Sequence, residues 1–136
     1  MNLLGKTKLP KPTAGELEIL DVMWRLAERV TVRDVHAGLN AAKATGYTTV
    51  LKLMQIMAAK GLLDRDEAER AHRYTPRLKQ QQTQTQLLRD LVDRAFHGSA
   101  SMLVQQALAA KRATPTEIAE IRELLNKYEK ENGDKR

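Results

Sequence analysis

The chain has 136 residues, of which 42% are hydrophobic, so it can bury one ordinary core or two small ones in sequence. Its net charge is +6: positions 1–80 hold 14 lysines and arginines against 9 acidic residues, and positions 81–136 hold 9 against 8. The excess in the first part suits a phosphate-binding surface, although solubility alone would also explain it. The absence of cysteine excludes disulfides, thiolate metal clusters and a cysteine nucleophile.

The first residues predict neither secretion nor membrane insertion. Positions 1–12 carry only Leu3 and Leu4 ahead of their lysines, which is no secretory signal, and we interpret them as a flexible basic arm. The sequence holds no apolar run near the roughly 18 residues of a membrane span. We therefore expect a cytoplasmic protein without direct membrane insertion.

The first predicted helix runs from about Ala14 to Ala27 and begins with a capping box, Thr13 with Glu16. Its apolar residues at helical spacing are expected to face the core. They are Leu17, Leu20, Met23 and Trp24, with Ile19 beside them.

A second helix is predicted from about Val32 to Leu39, behind a weaker cap at Thr31 and Asp34. Val32, Val35 and Leu39 should be buried. After a turn at 40–45, a third helix is predicted from about Tyr47 to Lys60, ending at a left-handed Gly61. Its inward residues follow helical spacing and are Val50, Leu53, Met54 and Met57.

Two short strand-like pieces follow the third helix at once, at 62–65 and 71–75, around a charged tip at 66–70. A helix that leads directly into a charged hairpin is typical of a winged helix-turn-helix. We therefore assign residues 13–79 to a winged-helix DNA-binding domain, in which Tyr74 packs against the third helix.

Residues 80–131 predict three more helices. We interpret the glutamine-rich run 80–86 as the exposed first turns of the first of these helices, with a disordered linker as the alternative. The first ends at Gly98, the second covers about 100–110, and the last covers about 115–131 behind a Thr114–Glu117 capping box. So small a segment has little core of its own, so we expect a dimerisation domain, followed by a flexible tail at 132–136. The expected interface residues are Leu88, Leu91, Phe96, Met102, Leu103, Ile118, Ile121, Leu125 and Tyr128.

The predicted fold is therefore mostly α: a winged helix-turn-helix of three helices and a small β-hairpin, then a three-helix dimerisation domain. Six positions of the third helix point outward: Thr48, Thr49, Leu51, Lys52, Gln55 and Ile56. Hydroxyls near a helix N-terminus suit phosphate or thymine, Lys52 suits guanine or phosphate, and Gln55 suits adenine. Tyr47 either contacts the DNA backbone or packs at the start of the third helix and holds it in place.

The hairpin arginines, Arg65, Arg70 and Arg73, are expected at phosphates or in the minor groove. The alternative is that they only offset the neighbouring acids, Asp64, Asp66, Glu67 and Glu69. The three histidines, His36, His72 and His97, lack ligand spacing. The sequence holds no catalytic set and no glycine-rich phosphate loop, so we predict no metal, no cofactor and no enzyme.

Five segments, in order and without a large gap between about 12 and 130, carry a resemblance to a known family. They are Glu16–Leu20 with Trp24, Thr31–His36, Tyr47–Val50, Lys60–Leu62 and Ala71–Tyr74. Together they resemble the penicillinase-repressor family of the BlaI/MecI/CopY type. The match is specific in the winged-helix half and loose in the C-terminal half.

The resemblance implies a transcriptional repressor that binds a dyad-symmetric double-stranded DNA operator as a homodimer. Some members are released from DNA when a membrane sensor metallopeptidase triggers cleavage in the dimerisation domain. Copper-responsive members carry a C-terminal cysteine cluster, which this chain lacks, and the Asn-Phe bond cleaved in β-lactam-resistance members has no counterpart near Gln106 and Ala107. The inducer is therefore open.

Two alternatives stay open beside a repressor. One is a winged-helix protein-interaction module, favoured by apolar Leu51 and Ile56, where the family often has arginine. The other is a regulator that responds to a small molecule bound between its domains.

Overall fold

The computed structural model describes residues 10–26, 29–111 and 113–133. Over these residues the chain forms six helices and a two-stranded antiparallel sheet. In chain order they are α1 (Ala14–Arg25), α2 (Val32–Asn40), α3 (Tyr47–Lys60), β1 (Leu63–Asp66), β2 (Arg73–Pro76), α4 (Gln80–Ala95), α5 (Ala100–Lys111) and α6 (Pro115–Gly133). The predicted mostly α class, with a hairpin after the third helix, is confirmed.

Contacts divide the chain into two compact units, residues 1–88 and 89–136, so the division falls inside α4. The boundary expected from sequence, at 79/80, lies at the start of that helix. The predicted arm is outside the described residues up to position 9, as are Ala27 and the tail from position 134. Two helix ends differ from the prediction: α1 stops at Arg25 instead of about Ala27, and α6 continues to Gly133 instead of about position 131.

Three helices begin with the reciprocal capping box that the sequence predicts. At α1, the amide of Glu16 donates to the hydroxyl of Thr13 (3.2 Å), and the amide of Thr13 donates to the Glu16 carboxylate (2.9 Å). Thr31 with Asp34 at α2, and Thr114 with Glu117 at α6, make the same exchange. Each box satisfies two backbone amides that the helix leaves free, and so fixes where the helix starts.

The ends of α3 are built differently. Its N-cap is Gly46, which offers no side chain to the first-turn amides, and the first turn holds no acidic residue. Gly61 ends the helix in the left-handed conformation (φ 88°), as predicted. The chain then enters β1 after a single residue, Leu62, so the wing follows directly from the end of α3.

The first unit has one hydrophobic core, which lies between α1, α2, α3 and the hairpin. Its centre is fully buried, since Val35, Val50, Met54 and Met57 have no exposed surface. The full set of buried apolar residues is Ile19, Leu20, Val22, Met23, Val30, Val32, Val35, Val50, Met54, Met57, Leu62, Leu63 and Tyr74.

The predicted inward face of α1 is wrong in part. Ile19 and Val22 are buried, whereas Leu17 is only half-buried. The cause is the close approach of α2 at Gly38, where a Cβ atom would lie 2.6 Å from a methyl group of Val22. The core face of α1 is therefore turned toward α2 by a contact that the sequence period cannot indicate.

Three residues predicted to be fully inward, Trp24, Leu39 and Leu53, are half-buried and pack against the edge of the core. The indole N–H of Trp24 donates to the carbonyl oxygen of Leu78 (3.1 Å). That bond ties α1 to the segment between the hairpin and α4. A partly buried indole keeps its N–H satisfied in this way.

The wing is a hairpin with a third backbone partner. β1 and β2 pair antiparallel, with Arg65 opposite Tyr74 and Asp66 opposite Arg73, so the strands lie one or two residues later than predicted. Val30 exchanges two backbone hydrogen bonds with Tyr74 (3.0 and 2.7 Å), which adds the segment before α2 to the hairpin. Tyr74 is 2% exposed, so the wing is anchored in the core at this residue.

The second unit has no comparable core. Helix α4 ends at Ala95, slightly before the predicted end at Gly98, and His97 and Gly98 after it both have positive φ (51° and 78°). Within residues 89–110 and 113–133, none of the described side chains is buried. Large apolar side chains stay exposed, including Leu91, Met102, Val104, Leu124, Leu125 and Tyr128.

Candidate nucleic-acid interface

The outer face of α3 is one exposed polar stripe. Thr48, Lys52 and Gln55 follow the spacing i, i+4, i+7 and are all exposed. Val50 and Met57, on the opposite side of the helix, have no exposed surface. The core therefore fixes the rotation of α3, and with it the direction in which the polar stripe points.

The two flanks of the stripe differ. Thr49 and Ile56 are exposed on one side, Ile56 by 44%. On the other side Leu51 is half-buried and packs against the core, so its prediction as an outward residue is wrong. At 100° per residue, Leu51 lies between the polar stripe and the buried side of the helix.

The N-terminus of α3 is held by polar contacts from α2. A ring nitrogen of His36 lies 2.8 Å from the carbonyl oxygen of Thr45. The side chain of Asn40 donates to the carbonyl of Thr45 (3.2 Å) and accepts from its amide (2.9 Å). The rings of His36 and Tyr47 meet edge to face, 5.5 Å apart. These contacts tie the turn between the two helices to α2, although Tyr47 itself remains 45% exposed.

A shallow groove lies between the start of α2, the outer face of α3 and the end of the wing loop. The predicted residues that it brings together are Tyr47, Gln55 and Arg70. Leu51 and Tyr74 form part of its floor, while Thr48, Thr49 and Lys52 are exposed on α3 outside it. Sequence reasoning missed three of its polar lining residues, Thr31, Arg33 and His72.

A signal for Arg33 was present in the sequence. It is the second residue of α2, just after the Thr31 cap, and it is exposed. In a helix-turn-helix the first helix of the pair lies beside the DNA backbone, so an exposed cation in its first turn is a candidate phosphate contact. His72 offered no such signal, because its position depends on the shape of the wing loop.

Two of the predicted wing arginines are engaged in ion pairs. Arg65 lies 2.5 Å from the carboxylate of Glu67, and Arg73 lies 2.9 Å from that of Glu69. The hydrogen bond and the charge of Glu69 raise the pKa of Arg73. Neither Arg65 nor Arg73 lines the groove. Two further pairs, Arg29 with Asp66 and Arg77 with Asp64, lie along the same hairpin.

In the described structure, three cationic side chains near α3 are not paired with a carboxylate. Within the described parts of the chain, Arg33, Lys52 and Arg70 make no ion pair. They come from α2, α3 and the wing loop respectively. This set differs from the predicted one, because the pairing of arginines with carboxylates depends on the hairpin geometry.

The described residues hold no group of three or more histidine, aspartate or glutamate side chains placed to bind a metal ion. Among the described helices, none combines the length and the apolar character that crossing a membrane demands.

The sequence profile of the penicillinase repressor matches residues 12–127. The chain belongs to the penicillinase repressor family. The predicted family is thereby confirmed.

Curated relatives match part of the chain. The transcriptional regulator BlaI of Mycobacterium tuberculosis, in strains CDC 1551 / Oshkosh and ATCC 25618 / H37Rv, is 42% identical over 64 residues. The match covers 46% of this chain and 46% of the regulator, so the chain spans just under half the length of the curated relatives it matches.

Two solved structures are similar at 23% identity, each covering 54% of this chain and 88% of the other. One is the DNA-binding domain of the repressor BlaI in solution (TM-score 0.48). The other is the monomeric form of Bacillus licheniformis BlaI in complex with the blaP half-operator (TM-score 0.47).

Proposed function

We propose that this member of the penicillinase repressor family is a sequence-specific DNA-binding repressor that acts as a homodimer on a dyad-symmetric operator. The observation that carries the proposal is the exposed stripe of Thr48, Lys52 and Gln55 on a helix whose other side is fully buried. A helix presented in this way fits the major groove, which is about as wide as an α-helix. A repressor of this kind works in the cytoplasm, with its DNA.

The exposed residues are suited to contact different parts of the DNA. Gln55 offers the amide that pairs in a bidentate manner with adenine, and the exposed Ile56 offers an apolar contact to a thymine methyl group. Thr48 and Thr49 stand at an N-terminus whose amides no side chain caps, which suits a phosphate. Lys52, Arg33 and Arg70 add charge, with Tyr47 at the edge of the same groove.

In this proposal the second unit forms the homodimer interface. Four of the residues predicted for the interface, Leu91, Met102, Leu125 and Tyr128, are exposed there, and burying such apolar side chains against a second copy would supply the core that the unit lacks. Two-fold symmetry would then place the two α3 helices about one helical turn of DNA apart, roughly 34 Å.

The proposal is tested by removing one cation from α3. Duplexes bound by the parent protein are first selected from a random library, and affinity is then measured by fluorescence anisotropy at several salt concentrations. Lys52→Ala should weaken binding and flatten the slope of log affinity against log salt by about 0.9, because one phosphate contact is lost. The matched control is Lys130→Ala, which removes the same charge from α6 and should leave the slope unchanged.

A second variant separates sequence reading from charge. Gln55→Ala should leave the salt slope as it is and relax base preference at one position, at a cost of roughly 1–3 kcal/mol for the preferred base. A library from which the parent selects no common sequence would contradict the proposal. Equal behaviour of Lys52→Ala and the parent would contradict the placement of α3.

Release of the operator by a sensor metallopeptidase remains a prediction of the family resemblance. Gln106 and Ala107 lie within α5, with exposed side chains and without the Asn-Phe bond. The protein-interaction alternative is weakened by the partial burial of Leu51, which leaves Ile56 as the large apolar residue exposed on the described face of α3.

A further inference from the structure

The charges of the wing cancel. Residues 64–77 contain four arginines and four acidic residues, so the hairpin has no net charge although the protein is basic. By contrast, residues 31–60 contain four lysines and arginines and one acid, Asp34. The basic excess of the first unit therefore lies on the helix-turn-helix and not on its wing.

Two of the wing arginines are neutralised by carboxylates that lie close to them in the hairpin. Arg65 pairs with Glu67 at 2.5 Å across the strand end, and Arg73 pairs with Glu69 at 2.9 Å across the wing loop. Each of these arginine side chains is more than a third exposed, so it faces solvent while it holds its carboxylate. The negative charges of Asp34 and Asp66 also raise the pKa of Arg73.

Such pairing matters for DNA because phosphate and carboxylate compete for the same guanidinium group. A free arginine that reaches a phosphate releases counterions and so contributes affinity for any sequence. A paired arginine must first give up its carboxylate, which then stands close to the phosphate and repels it. The wing can therefore rest on the backbone and still contribute little to binding that ignores sequence.

We infer that Glu67 and Glu69 limit the affinity of this protein for arbitrary duplex DNA by holding Arg65 and Arg73 in ion pairs. The inference rests on the proposed function and deepens it. It assigns a role in recognition to two acidic residues, which by charge alone would be expected only to oppose DNA binding. Because Glu67 and Glu69 neutralise these two arginines, binding depends more on the base contacts of α3.

The test compares glutamine variants on a duplex of random sequence, again by anisotropy over a range of salt. Glu67→Gln and Glu69→Gln should each raise affinity at low salt by roughly 3- to 10-fold and steepen the salt slope by about 0.9, because each frees one arginine for phosphate. Superimposable melting curves of parent and variants would show that the wing carboxylates are not needed for folding.

The matched control is Asp21→Asn. It removes a carboxylate from another exposed ion pair, with Arg25 on α1, a helix that contributes no residue to the groove. Affinity for random duplex should rise less than 2-fold in this variant. An equal rise in the control and in the wing variants would overturn the inference, since charge anywhere on the surface would then suffice.

A double variant checks that each carboxylate acts through its arginine. Once Arg65→Gln has been introduced, the further change Glu67→Gln should no longer increase affinity, and Arg73→Gln should cancel the effect of Glu69→Gln in the same way. Unchanged or lower affinity in both single variants would overturn the inference while the proposed function stands. A parent that selects no sequence and binds no duplex would overturn the proposed function, and the inference with it.

Discussion

Glu16 is a charged residue that is buried in the first unit. Its side chain is 2% exposed, and its carboxylate accepts hydrogen bonds from Lys60 (2.8 and 2.9 Å) and from the amide of Thr13 (2.9 Å). One residue thus caps α1 and joins its start to the end of α3. The contact holds the helix proposed to enter DNA against the rest of the core.

We predict that Glu16→Gln lowers the free energy of unfolding at pH 7 by about 1–3 kcal/mol, because the charge-assisted bonds to Lys60 weaken. Chemical denaturation measures the difference. The matched control is Glu117→Gln, which changes the exposed capping box of α6, where no lysine bond is made within the described structure. A loss as large in the control as in Glu16→Gln would show that the cap, and not Lys60, provides the stability.

The same carboxylate predicts a pH dependence. Burial alone would raise the pKa of Glu16, but the bonds and charge of Lys60 and the bonds of Thr13 outweigh it, so the pKa lies below its ordinary value of 4.5. A lowered pKa in the folded state stabilises the protein above the ordinary pKa. That contribution is lost as the pH falls through the lowered value. The difference between parent and Glu16→Gln should therefore be largest at neutral pH and shrink below about pH 4.5.

At the scale of elements, the decisive junction is the one between α3 and the wing. Gly61 turns the chain in the left-handed conformation, and only Leu62 separates it from β1. The amide of Leu62 donates to the carbonyl of Met57 (2.9 Å), and the amide of Arg77 donates to the carbonyl of Leu62 (3.0 Å). The position of the hairpin beside α3 is thus set by the last turn of that helix.

We predict that Gly61→Ala destabilises the first unit by about 1 kcal/mol, because an alanine is strained at a φ of 88°. The matched control is Gly15→Ala on α1, where the added Cβ atom would meet Leu53 at an ordinary distance of 3.8 Å. This change should be neutral or stabilising by about 0.5 kcal/mol. Urea denaturation compares the two, and a shift of the same sign in both would contradict the role given to the backbone at Gly61.

For the whole molecule, the contrast between the two units is the main fact. The first unit closes a core of 13 buried apolar residues, whereas none of the described side chains at 89–110 and 113–133 is buried. Apolar surface left on three helices is costly in water, and a second copy of the chain is the partner that we propose. The predicted interface residues of α6 include Leu125 and Tyr128, which are 58% and 66% exposed.

We predict that Leu125→Glu raises the dimer dissociation constant by roughly 30-fold or more, as expected when an anchor residue at an interface is replaced by a charge. Analytical ultracentrifugation measures it, and operator affinity should fall in parallel. The matched control is Asn126→Glu, which places the same charge on the side of α6 away from Ile121, Leu125 and Tyr128. A parent that sediments as a monomer, or a dimer that tolerates Leu125→Glu, would contradict this assignment.

The sequence by itself determined where most elements begin and end. Thr13, Thr31 and Thr114 predicted three capped helix starts, and Gly61 predicted the end of α3, because caps are local chemistry between residues three or four positions apart. The buried sides of α2 and α3 also followed from their period, as Val35 and Val50 show. The family was recognisable from these same segments.

Only the tertiary structure decided how the faces meet and which charges are paired. The approach of α2 at Gly38 brought Val22 of α1 into the core, and Leu51 packs against the core instead of lying on the outer surface. Hairpin register and loop shape paired Arg65 and Arg73 with carboxylates and left Arg33 beside the groove. Such contacts join residues through space, and a one-dimensional pattern of hydrophobicity and charge does not contain them.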